Sequence, residues 1–338
     1  MPSTFSLAAQ QAAAIHLPAT YAWAAIILLA VLVYTTLDGF DLGVGMLLPT
    51  VKDPVMRHGM TATIAPFWDG NETWLVLAGA GLLAGFPAVY ANVLGTLPLP
   101  LSLLLVGLIL RGTGLEFSHA AVNSTAAARW EIVFSAGSWL ASFCIGVAGG
   151  LVLQLEPLRG GAANWLDPLP WLAGLGMCWT HALLGAVWLS MKAEGKLSAR
   201  MTDQARLLLT VMPAWPLVLM LAAAPGSRPP AALAITIWSL SVILMVHLRR
   251  RLKHGADTRA FLQLLIGVAI AFLGWAMTLV GVLNRSGDLG WSHLAAPGAS
   301  VTFALYGSIV LLPCVVGYSL WGYRVFRGRL AGDQGSQL

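Results

Sequence analysis

Four carboxylates stand at the edges of two long apolar runs. Asp38 and Asp41 flank and enter GFDLGVG (Gly39–Gly45), and Asp69 and Glu72 lie in PFWDGNETW (Pro66–Trp74). Only 10% of the chain is charged, so acidic side chains at such places need a reason. An ionised group at the depth of a membrane span costs at least about 2.5–3.5 kcal/mol unless it meets a partner or water. Asp38 and Asp41 are three residues apart and share a helix face, which brings two like charges close and favours one of them keeping its proton. A carboxyl that holds and releases a proton is what a proton relay requires. Arg111 and Glu116, at the end of a third apolar run, add a cation and a fifth carboxylate. Each group also has a plain structural use. Asp69, Asn71 and Glu72 could cap a helix start, Arg111 and Glu116 could pair at an interface, and Asp41 could sit at the water boundary.

The elements that must position these groups follow from hydropathy. The chain has 338 residues, 58% of them apolar, and a mean hydropathy of +0.77. That composition predicts an all-α, polytopic membrane protein with one integral membrane domain over residues 1–338. A bilayer core about 30 Å thick takes roughly 20 apolar residues per helix. The template fits nine segments: Ala22–Leu48, Thr73–Tyr90, Val93–Leu110, Ile132–Leu155, Leu169–Met191, Leu207–Ala224, Ala231–Leu248, Phe261–Leu283 and Val301–Tyr323. The division between the second and third rests only on Pro87, Ala88 and Asn92.

Basic residues test that division, because cytoplasmic loops are enriched in Lys and Arg. Alternate segments, beginning with the first loop, hold 16 of the 19. Nine spans, an outer N-terminus and a cytoplasmic C-terminus follow. Asp38, Asp41, Asp69, Glu72, Arg111 and Glu116 then converge on the cytoplasmic side of three helices. The net charge of +5 reflects these loops and gives no reason to invoke nucleic acid. The stretches Lys192–Arg206 and His247–Arg259 are expected as basic cytoplasmic loops that orient the chain and touch anionic lipid.

The remaining side chains point to less chemistry. Cys144, Cys178 and Cys314 each sit alone in apolar runs, with neither metal nor disulfide spacing. The first twenty residues hold no Lys or Arg, so the first apolar run is expected to be retained rather than cleaved. His181 alone among the histidines lies plainly inside a span. It is read as hydrogen-bonded to a neighbouring helix, with haem ligation the less favoured use. No two histidines stand at helical spacing. The Trp residues near span ends, among them Trp68, Trp74 and Trp321, suit interfacial belts.

Several motifs, in order along nearly the whole chain, resemble those of subunit II of the cytochrome bd family of quinol oxidases. They are GFDLGVGM (Gly39–Met46), PFWDGNETW, GFPAVYA (Gly85–Ala91), LRGTGLEF (Leu110–Phe117), LLGAVWLSMKAEG (Leu183–Gly195), AAPGAS (Ala295–Ser300) and YSLWGYRVFRG (Tyr318–Gly328). The resemblance implies two four-helix bundles plus one peripheral helix. It also implies a bacterial cytoplasmic (inner) membrane location and a partner, subunit I, that carries haems b and d. The complex would oxidise quinol and reduce O2 to water, with no haem or metal ligated by this chain. Asp69 would then be the leading group of a proton route that crosses into subunit I, with Glu116, Asp38 and Asp41 lining its entry, Glu72 a further candidate and Arg111 fixing the carboxylates' charge state. Trp74 would border an oxygen path. A bound quinone and small accessory subunits occur in such enzymes, and no residue here places either. The pattern departs from the family at Ser118, before His119, and in LNRSGDLGW (Leu283–Trp291).

Two other readings stay open on the residues alone. A proton-coupled secondary transporter would also carry acidic groups in Gly-rich spans, though near the midplane of both halves. A purely structural subunit would leave the acidic cluster dispensable.

Overall fold

The computed structural model describes residues 4–154, 162–212, 231–285, 295–326 and 328, and these are helical with short connections. In chain order the helices are α1 (Thr4–Leu47), α2 (Pro54–Ala62), α3 (Trp68–Gly85), α4 (Pro87–Thr96), α5 (Pro98–Ala120), α6 (Ser124–Val152), α7 (Pro168–Lys192), α8 (Gly195–Val211), α9 (Ala231–Arg251), α10 (Thr258–Arg285) and α11 (Gly298–Val325). Local chemistry sets several starts. Asp53, Asn123 and Asp167 each accept a backbone N–H of the turn that follows, and Pro54 and Pro168 supply a first residue that needs no donor.

Among the described residues six helices are long and apolar enough to cross a membrane: α1, α5, α6, α7, α10 and α11. The α3–α4 pair makes a seventh if it is counted as one span. Most of the expected sixth span, Leu207–Ala224, lies outside the described residues. The second and third expected spans are redrawn. The apolar run breaks at Phe86, where Pro87 withholds an N–H, and α4 leaves α3 at 119°. The next crossing is α5, from Pro98 to Ala120, rather than Val93–Leu110.

The expected loop Lys192–Arg206 is instead mostly helix. In α8, Leu197, Met201, Ala205 and Leu209 recur every four residues and bury one stripe against α7, while the charged residues face outward. The expected loop His247–Arg259 likewise begins as helix, its first residues forming the end of α9 as far as Arg251.

The helices that carry the acidic residues are packed unusually closely. In lipid, helix association depends on van der Waals contact and hydrogen bonding, so small residues at crossings let backbones approach. A Cβ on Gly43 of α1 would lie 2.8 Å from the backbone N of Gly185 on α7, and inside the carbonyl oxygen of His181. Gly107 and Gly137 make the matching crossing of α5 and α6. α1 therefore sits in the middle, against α3, α6, α7, α10 and α11.

Candidate functional site

Asp38 and Asp41 are both 0% exposed, held inside the helix group by the close α1–α7 contact. Arg111, reaching in from α5, is also 0% exposed. Its Nη2 donates to Asp38 Oδ1 at 2.7 Å and to Glu72 Oε2, on α3, at 2.8 Å. One guanidinium thus joins three helices. Two fully buried partners at these distances form a charge-assisted pair whose attraction is weakly screened.

Asp41 has a different environment from Asp38, one helical turn away. Its Oδ2 accepts from Asn71 Nδ2 at 2.7 Å. Asn71 also lies 3.4 Å from the Leu37 carbonyl, and its own Oδ1 accepts from the Tyr323 hydroxyl at 2.8 Å. The site therefore runs Tyr323–Asn71–Asp41 on one side and Asp38–Arg111–Glu72 on the other. Three carboxyl groups face one guanidinium, and burial penalises any charge left uncompensated. Asp38 Oδ2, Asp41 Oδ1, Arg111 Nε and Arg111 Nη1 are buried without a protein hydrogen-bond partner, as are the Tyr34 hydroxyl and Trp74 Nε1. Tyr34 is one turn deeper on α1 than Asp38 and packs in one cluster with Trp74, Ala30 and Ala78. Buried polar atoms of this kind are normally satisfied, so their concentration here sets this site apart from the rest of the helix group.

Two of the residues expected in this cluster lie outside its buried heart. Asp69 is exposed in the first turn of α3, where the helix dipole favours an acid. Its side chain is not a cap: the N-cap position is Phe67, which makes no side-chain cap bond. Glu116 is exposed and accepts from Trp68 Nε1 at 3.2 Å. It is not the partner of Arg111, whose planar cation instead lies 5.2 Å from the Trp68 ring centroid. Trp68 thereby bridges Glu116 and Arg111. Trp74 is buried, 4% exposed, and is a core residue rather than part of an interfacial belt.

His181 is 0% exposed, with Nδ1 2.9 Å from Ser142 Oγ on α6 and its ring against Gly39 of α1. That is the interhelical hydrogen bond expected of it. The ring is enclosed between α1 and α6. Among the described residues no group of three or more His, Cys, Asp or Glu side chains is placed to hold a metal ion.

Sequence reasoning missed four features. Tyr323 and the bridging use of Asn71 depend on a contact 252 residues apart. Tyr34 had a legible signal, since it lies four residues before Asp38 on the same helix face. The rings of His58 and His119 meet, with centroids 5.0 Å apart, although no local spacing pairs them. Lys192 donates to the Phe326 carbonyl at 2.7 Å and so ties α7 to the end of α11.

Comparison with known proteins adds an independent line. The family model for cytochrome bd terminal oxidase subunit II matches residues 19–326. A cytochrome bd ubiquinol oxidase subunit 2 of Bacillus subtilis is 26% identical over 320 residues, 87% of this chain and 92% of that protein. A probable cytochrome oxidase subunit 2 of Haemophilus influenzae is 35% identical over 194 residues, 53% of this chain. The cytochrome bd-I ubiquinol oxidase subunit 2 of Escherichia coli K12 is 32% identical over 192 residues, also 53% of this chain. These last two matches span about half of each relative, 50% and 51%. A solved structure of a bd oxidase from Geobacillus thermodenitrificans aligns with a TM-score of 0.60 at 11% identity, over 91% of this chain and 98% of that one. At that identity the likeness concerns the fold.

Proposed function

Because this chain belongs to the cytochrome bd terminal oxidase subunit II family, we propose that it is the non-haem subunit of a bd-type quinol oxidase and lines a proton-uptake route from the cytoplasm. Its partner would be the haem-bearing subunit I, which would carry haems b and d and the chemistry of quinol oxidation and O2 reduction. The complex would sit in the bacterial inner membrane. The charge asymmetry of the loops supports an outer N-terminus and a cytoplasmic C-terminus. Nine spans in two four-helix bundles with one peripheral helix is the arrangement we adopt for the whole chain.

The observation that carries the proton route is the buried network around Arg111. Asp38 and Asp41 are the fully buried acidic side chains among the described residues, and both have an oxygen without a protein partner. We assign exposed Asp69 and Glu116 to the entrance, half-buried Glu72 to the step inward, and Asp38 and Asp41 to the buried stations, with Arg111 balancing charge. Tyr34, one turn deeper, extends the polar ladder toward Trp74. Trp74 retains the proposed place beside an oxygen path. The carboxylates gathered around Arg111 come from α1 and α3, with exposed Glu116 on α5, and this one-sided cluster favours this reading over a proton-coupled transporter with carboxylates near the midplane of both halves.

Asp69→Asn tests the entrance. In the purified complex it should slow quinol-driven O2 consumption while haem content and subunit ratio stay as in the parent. Unchanged turnover, or loss of assembly, would remove Asp69 from the route. An optical spectrum tests the division of labour: haem bands should require subunit I, and haem retained by this chain alone would refute it.

A further inference from the structure

The Tyr323–Asn71–Asp41 chain gives a specific role to residues that the proton-route reading does not use. Arg111 spends its two described bonds on Asp38 and Glu72, so Asp41 has a neutral amide as its direct partner. The amide is held at both ends. Asn71 Nδ2 donates to Asp41 Oδ2 at 2.7 Å, and Asn71 Oδ1 accepts from the Tyr323 hydroxyl at 2.8 Å. Rotating the amide by half a turn would set its oxygen against a carboxylate oxygen, and the tyrosine proton selects against that orientation.

Tyr323 arrives on α11, a helix whose apolar window is only 6% buried. Its first turns pack Val301 against Trp23 and Phe86, and its last turns are held at the site itself. The Tyr323 ring stacks on Phe67, with centroids 4.5 Å apart and planes 11° from parallel, and Lys192 Nζ holds the Phe326 carbonyl. The groups facing Asp41 are Asp38 on its own helix, Asn71 on α3, Arg111 on α5 and Tyr323 on α11. Of these, only the Asn71–Tyr323 pair fixes which oxygen of Asp41 is engaged.

We infer that Asn71 is a positioning residue for Asp41, and that Tyr323 locks the Asn71 amide so that Asp41 Oδ2 is held while Oδ1 is left free to exchange a proton. The inference rests on the reading of the cluster as a proton route. It also makes the end of the last helix part of the site, so that displacement of α11 would release Asp41 from its set orientation.

The test compares Asp41→Asn, Tyr323→Phe and Asn71→Ala in the intact purified complex, by steady-state turnover and by redox-difference infrared spectroscopy. Phe at 323 keeps the ring stack and removes only the hydroxyl. Asp41→Asn should abolish one carboxyl band. Tyr323→Phe should shift that same band and lower kcat roughly two- to tenfold, the worth of one hydrogen bond, with KM for quinol and haem content unchanged. A band and kcat unmoved by Tyr323→Phe would overturn the positioning role while leaving the proton route standing. No effect of Asp41→Asn itself would sink the proton-route reading of this carboxylate and the inference with it. If Tyr323→Phe does not assemble, Asn71→Ala must give the band shift. Failure of both to assemble would make the bridge a structural tie and overturn the inference.

Discussion

Arg111→Met is the sharpest probe of how this helix group is held together. The substitution keeps a long flexible side chain and removes one charge. In the parent, Arg111 and Asp38 are both 0% exposed and 2.7 Å apart, and the same nitrogen reaches Glu72 at 2.8 Å. Taking charge centres about 4 Å apart at an effective dielectric of about 20 gives roughly 4 kcal/mol of attraction per pair. Desolvation offsets much of this, but removing one partner leaves the other buried without compensation, which typically costs about 3–5 kcal/mol. Glu72 is partly exposed, with 27% of its side chain accessible, so Asp38 should supply most of the penalty. Arg111→Met should therefore lower stability by about 3–5 kcal/mol, a large share of what any folded chain has. Asp38→Asn added to Arg111→Met should restore about 1–3 kcal/mol, because it removes the stranded charge. The assay is chemical unfolding of the complex in a fixed detergent, followed by tryptophan fluorescence and by retention of the partner subunit. An Arg111→Met complex within about 1 kcal/mol of the parent would refute the reasoning, as would a double variant no better than the single one.

Two further outcomes concern the scaffold. Gly43→Ala forces a methyl group into the α1–α7 crossing, where the nearest atoms are backbone and cannot rotate away. It should cost at least about 1–3 kcal/mol, or prevent assembly, and a variant of parental stability would disprove the close contact. Asp257→Ala removes the acceptor for Ala260 N and the bidentate partner of Arg251. The hydrogen bonds from Arg251 hold the Asp257 carboxyl below its usual pKa, so its contribution is present above the ordinary carboxylate range and fades as pH falls through the lowered value. Since the pair is exposed, the loss should be only about 1 kcal/mol and should shrink in high salt, as measured by thermal unfolding at neutral pH.

The acidic cluster was legible in the chain because ionisable residues beside apolar runs stand out against a background of 10% charge. Hydropathy also located most of the crossing helices, since a bilayer imposes both length and composition. It divided the second and third spans badly. Pro87 and Pro98 set the bend and the next start, while the apolar run continues through them. It read α8 as loop because a surface helix with one apolar stripe has low mean hydropathy, and there the periodicity rather than the average carries the signal.

Partner choice was not legible. Asp38 and Asp41 are alike in type, helix face and burial, yet one meets Arg111 and the other Asn71. Arg111 could equally have been paired with Glu116, which lies on the same helix; its side chain instead points inward to α1 and α3 while Glu116 stays outside with Trp68.

What the sequence by itself determined is the membrane habit, the all-helical class, the family and the set of acidic residues from which a proton path could be built. Tertiary structure alone decided which of them are buried, which share Arg111, and that a tyrosine near the end of the last helix closes the network through Asn71. The physical reason is that hydropathy and motif spacing are local quantities. A hydrogen bond across 252 residues depends on how helices cross, and those crossings are set by glycines whose value shows only when two backbones meet.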